Sequence, residues 1–78
     1  MNEMNILIET IEKVKRFETI AIEMGSDVDL VSGRYVIDAK SILGILSMDL
    51  TKPLKLVVHA PEEETRRVLD AFREFEVD

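Results

Sequence analysis

The stretch Asp38-Ala39-Lys40-Ser41-Ile42-Leu43-Gly44-Ile45-Leu46-Ser47-Met48-Asp49-Leu50 decides the fold. Ser41 has the chemistry of a helix N-cap, because its hydroxyl can accept from a backbone N–H two or three residues on, and the apolar residues behind it predict a short helix. Thr51-Lys52-Pro53 then stops it, since proline cannot continue a helix. Ile42, Leu43, Ile45, Leu46, Met48 and Leu50 are more apolar residues than one buried stripe on so short a helix can use. Some of them are therefore expected to face solvent or a partner.

Upstream, Asp27-Val28-Asp29-Leu30-Val31 alternates, Ser32-Gly33 supplies a tight turn, and Arg34-Tyr35-Val36-Ile37 returns, which is the pattern of a β-hairpin. Further back, Met4, Ile6 and Ile8 alternate with Asn5, Leu7 and Glu9, predicting a first strand over about residues 3–9. From Thr10 the period lengthens. Ile11, Val14, Phe17, Ala21 and Met24 recur at helical steps, with Thr10 as N-cap and Gly25 just past the end. Thr19-Ile20-Ala21-Ile22-Glu23 alternates well enough to be a strand, but the helical period on both sides favours helix.

Downstream, Leu54, Leu56 and Val58 alternate with Lys55, Val57 and His59 in a fourth strand. Pro61 suits the first position of a last helix, with Glu62, Glu63 and Glu64 favoured in its first turn by the helix dipole. Val68, Phe72 and Phe75, with Leu69 and Ala71, form its apolar face, and Glu62 with Arg66 and Glu63 with Arg67 are candidate i,i+4 pairs. The predicted order is β-α-β-β-α-β-α. Strands that each bury one face imply an α+β domain: one four-stranded antiparallel sheet with three helices on one side and water on the other.

Seventy-eight residues make one domain, 1–78, with no linker or repeat. There is no cysteine, so disulfides and thiolate metal sites are excluded, and a reducing cytoplasm fits. A net charge of −6 argues against nucleic acid and anionic membranes and favours basic partners. No run is long enough to span a bilayer, and Met1-Asn2-Glu3-Met4 lacks the features of a signal peptide.

The element order, joined to Lys40-Ser41-Ile42-Leu43-Gly44-Ile45-Leu46-Ser47, resembles HPr, the histidine-containing phosphocarrier of the bacterial sugar phosphotransferase system. The resemblance spans nearly the whole chain and is strongest over residues 27–50. It implies an open-faced β-sandwich, and it implies that Ser41 stands where low-GC Gram-positive members carry a regulatory serine phosphorylated by a dedicated kinase. Lys40, Ile42, Leu43 and Leu46 would then form the partner-binding patch, accounting for the apolar surplus. Implied partners are proteins: HPr kinase, enzyme I-like proteins or transcription regulators, met by a monomer or weak dimer. A phosphate on Ser41 would add about −1.5 to −2 charges at a helix N-terminus, where little disturbance of the fold is expected.

One departure matters most. The family's phosphorylated histidine lies in a His-Ala-Arg-Pro run at the mouth of the first helix, and counting back without gaps from Ser41 puts Thr10 at the histidine and Glu12 at the arginine. Threonine without an adjacent base is a weak nucleophile, its phosphate ester is a poor donor, and Glu12 would repel phosphate. His59, the only histidine, falls at the end of the fourth strand. Neither it nor the acidic run Glu62-Glu63-Glu64 makes a metal site, and no nucleophile-base pair or phosphate loop stands out, so neither enzyme activity nor a cofactor is expected. The sequence thus points to an HPr-like protein without histidine phosphotransfer. An ACT-like ligand-binding or dimerisation module, lacking the helix at Ser41, is the second possibility, and a phosphocarrier using His59 the third.

Overall fold

A computed structural model describes residues 1–78. Its elements are β1 (Glu3–Ile6), α1 (Ile11–Met24), β2 (Asp27–Ser32), β3 (Tyr35–Asp38), α2 (Ile42–Leu46), β4 (Leu54–His59) and α3 (Glu62–Ala71), closed by a 3-10 turn at Arg73–Phe75. The strands form one antiparallel sheet in the order β1-β4-β2-β3. The α+β architecture expected from the alternation is present, and so is α2, which the ACT-like order omits.

The core is one cluster of 17 buried residues, with Val28, Leu30, Leu54, Leu56 and Val58 supplied by the two central strands. Phe17 of α1 meets Phe72 at 4.9 Å and Phe75 at 5.8 Å between ring centroids, locking the first helix to the C-terminal segment. The opposite face of the sheet is wet, and there Lys55 Nζ lies 3.5 Å from Glu3 Oε1.

Thr10 caps α1 by accepting from the Lys13 N–H at 3.1 Å, and Gly25 closes it with its N–H on Ala21 O. Ile11 is not on the buried stripe as expected. At about 100° per residue it lies a quarter turn from the centre of the stripe set by Val14, Phe17 and Ala21. Gly33, at φ 58°, occupies the first of the two loop positions between β2 and β3, where a tight hairpin turn needs a backbone that only glycine adopts cheaply.

Four other features differ from expectation. β1 ends at Ile6 rather than continuing to residue 9, because its chain turns to the C-terminal segment: Leu7 N–H donates to Phe75 O at 3.0 Å and Val77 N–H to Asn5 O at 2.9 Å. Ile8 is still buried. Pro61 precedes α3 at its cap with an extended ψ of 154°, so Glu62 is the first helical residue. The Glu62–Arg66 and Glu63–Arg67 pairs do not form; Glu64 instead accepts from the buried Ser26 hydroxyl at 3.0 Å, and Arg73 bridges Asp70 and Glu76. Exposed pairs gain too little Coulomb energy to hold two long side chains. Finally, β3 does not bury a full face: Tyr35, on the covered side of the sheet with Ile37, is 72% exposed at the edge, while Val36, opposite Val31 on the wet side, is 61% exposed.

Candidate functional site

The β3–α2 corner is built from backbone bonds that the local sequence supplies. Asp38 Oδ1 accepts from the Lys40 N–H at 2.8 Å, and Asp38 O accepts from the Ser41 N–H at 2.9 Å, which turns the chain out of β3. Ser41 Oγ then accepts from the Gly44 N–H at 3.2 Å, the N-cap bond expected of it. At the other end Ser47 Oγ donates to Gly44 O at 2.6 Å.

Gly44 is what lets α2 lie so close to the sheet. A Cβ there would stand 2.6 Å from Ile37 Cγ2 and 3.0 Å from Ser41 Oγ, nearer than carbon atoms pack. With the helix pressed down at Gly44, Ile45 is fully buried and Ile42, Met48 and Leu50 are half-buried. Leu43 is left 79% exposed and Leu46 45% exposed, with Lys40 and Ser41 also at the surface. The apolar surplus of the sequence therefore divides between core and solvent, and Leu43 is its most exposed member.

The electrostatics of this corner are acidic. Glu18, on α1, has its Oε2 closed off from solvent with no hydrogen-bond partner. Burial, with the nearby Asp38 charge second, pushes its carboxyl above the usual range. Lys40 makes no ion pair within the chain. Periodicity placed Glu18 off the buried stripe of α1 and carried no signal that its carboxylate would be shut in near Asp38. Beyond α2, Asp49 accepts from the Thr51 hydroxyl at 2.6 Å and backbone at 3.1 Å, which holds its carboxyl below the usual range. A shallow cavity of about 350 Å³ lies alongside, lined by Ser32, Tyr35, Ile37, Ser47, Met48 and Asp49. Those residues come from two separate stretches that only the folded chain joins.

Thr10 and His59 are far apart. Thr10 sits at the mouth of α1 with its hydroxyl used as a cap, and Glu12 is exposed in the first turn. Ile6 pairs with Leu54 at the start of β4, whereas His59 ends that strand, about 17 Å further along at ~3.4 Å per residue. There His59 Nε2 lies 2.9 Å from Asp29 Oδ2 on the wet face of the sheet. No group of His, Cys, Asp and Glu side chains is arranged to hold a metal ion. No helix is long and apolar enough to cross a membrane.

No family model matches the chain, and no curated protein does. Among solved structures it is similar to HPr-C-His from Thermoanaerobacter tengcongensis, with a TM-score of 0.72 at 23% identity over 95% of this chain and 93% of that one. It is also similar to a phosphocarrier protein HPr from Bacillus anthracis str. Ames, with a TM-score of 0.65 at 15% identity over 90% of this chain and 94% of that one. The fold is therefore the HPr-like open-faced β-sandwich.

Proposed function

We propose that this protein is a protein-binding relative of the HPr phosphocarriers, acting through α2 in the cytoplasm as a single unit over residues 1–78, neither an enzyme nor a histidine phosphocarrier. The observation that carries the proposal is the pairing of an HPr-like fold with Thr10, a capped hydroxyl, at the mouth of α1. By position Thr10 corresponds to the carrier histidine and Glu12 to its arginine. A threonine hydroxyl already accepting from the Lys13 N–H, two residues before the repelling carboxylate of Glu12, has no means of taking up and returning a phosphoryl group.

Leu43 and Leu46 supply the exposed apolar contact, with Ile42 beside them and Lys40 as a charged rim. Partners of this surface are proteins of the phosphotransferase system: HPr kinase, enzyme I-like proteins or transcription regulators. Ser41 is the regulatory position: its phosphate would add charge at the N-terminus of α2, where phosphate oxygens can accept from the backbone N–H groups as Oγ now accepts from that of Gly44. The added charge therefore disturbs the fold little and acts by changing the face that a partner meets.

The test is to incubate the protein with enzyme I and phosphoenolpyruvate, and separately with HPr kinase and ATP, and to map phosphate by mass spectrometry. Acid-stable phosphate on Ser41 alone is expected. Acid-labile phosphate on His59 would replace this reading with that of a carrier of unusual geometry, against the repulsion that Asp29 offers an incoming phosphoryl group.

A further inference from the structure

We propose that two copies of this chain pair edge to edge through β3, forming a two-fold symmetric dimer with one continuous sheet. The two edges of the sheet differ. That of β1 is partly covered by the C-terminal segment, through the Leu7–Phe75 and Val77–Asn5 bonds and the bridge between Ile6 and Glu76. β3 pairs only with β2, and nothing in the chain occupies its outer side.

The orientation of that outer side follows from one bond. Ala39 N–H donates across the sheet to Val28 O at 2.9 Å, and along an antiparallel strand residues that bond one neighbour alternate with residues that point away. Tyr35 and Ile37 therefore bond β2, and Val36 and Asp38 direct their N–H groups outward. Native sheets usually protect such an edge with charge, proline or a bulge. Here Arg34-Tyr35-Val36-Ile37-Asp38 has no proline, and its only charges are one of each sign at its two ends.

Those end charges make the edge complementary to itself. In antiparallel pairing about Val36, each Val36 exchanges both backbone bonds with its twin, Tyr35 meets the other copy's Ile37, and Arg34 meets the other copy's Asp38. Each Asp38 N–H reaches the opposing Arg34 carbonyl. Arg34 has no ion-pair partner within its own chain, and Asp38 uses only Oδ1. Tyr35 and Val36, the most exposed apolar residues of the sheet, are the ones covered. A closed isologous pair of this kind uses up both edges and does not propagate.

The contact is short and each copy carries −6, so a dissociation constant of roughly 10 μM to 1 mM is expected. Sedimentation equilibrium across that range should show a monomer–dimer equilibrium. Arg34→Asp and Asp38→Arg should each weaken it at least about tenfold, and the double variant should restore it, because the pair re-forms with its signs exchanged. Restoration excludes a general folding defect, since the double variant still lacks the Asp38 bond to Lys40. A second readout uses the absence of cysteine: Val36→Cys should cross-link to its twin under mild oxidation, the Cα separation of about 5.5 Å in a hydrogen-bonded antiparallel pair lying within disulfide range. A wild-type chain that stays monomeric to about 1 mM, or a double variant no tighter than the single ones, overturns the proposal and leaves the edge open to a strand of another protein.

Discussion

At Gly44 two opposed effects can be weighed directly. In an open helix, replacing glycine by alanine gains about 1 kcal/mol, because less backbone entropy is lost on folding. Here the new Cβ meets the stiff, β-branched Ile37 and the capping Ser41 hydroxyl. Overpacking of this kind costs about 1–3 kcal/mol, so Gly44→Ala should destabilise the protein, and urea unfolding would show a lower midpoint at constant slope. Ser41→Ala should cost about 1 kcal/mol through loss of the cap, seen first as faster hydrogen exchange at the Gly44 amide. Glu18 acts in the reverse sense to most carboxylates. Its folded value is raised above the ordinary 4.5, so its contribution to stability is complete below that pH and is lost as pH rises past the elevated value. Asp49 and Glu74, held low by Thr51 and Arg16, contribute stability that is lost at the acid end. Glu18→Gln should therefore raise the melting temperature at pH 7 and leave it nearly unchanged well below pH 4.5, in thermal scans at a series of pH values.

Among the elements, α2 shows most plainly what a linear pattern can and cannot say. Its N-cap and its excess of apolar residues were both legible, because they depend on neighbours in the chain, whereas its end at Leu46, with Ser47 as C-cap, comes before the stop expected at Thr51-Lys52-Pro53. Which apolar residues face out was not. Ile45 is buried and Leu43 exposed because Gly44 turns one side of the helix onto Ile37, a contact between elements. Leu43→Asp should accordingly leave stability within about 0.5 kcal/mol of wild type, while slowing the labelling of Ser41 by HPr kinase. β3 is the converse case. Its alternation looked like that of any half-buried strand, yet its place at the sheet edge leaves Tyr35, on the covered side with Ile37, in water.

For the molecule as a whole, a chain of this length has a stability of roughly 4–12 kcal/mol at 0.05–0.15 kcal/mol per residue. Phe17 joins α1 to both Phe72 and Phe75 and is fully buried, so Phe17→Ala, at about 3–5 kcal/mol, should remove a large part of that margin, and calorimetry would show a much lower melting temperature. By itself the sequence determined the element order, the Thr10 and Gly25 caps of α1 and the Ser41 cap of α2, the polar and apolar faces of the central strands, and the threonine at the mouth of α1. Period, capping and turn chemistry act over a few residues and leave their mark in the chain. Only the tertiary structure decided that β1 closes on the C-terminal segment, that β3 is the free edge, that Glu18 is shut in near Asp38, and that His59 lies at the far end of the sheet from Thr10. Each of these is a meeting of segments distant in the chain, settled by how one core packs them together, and no local pattern records it.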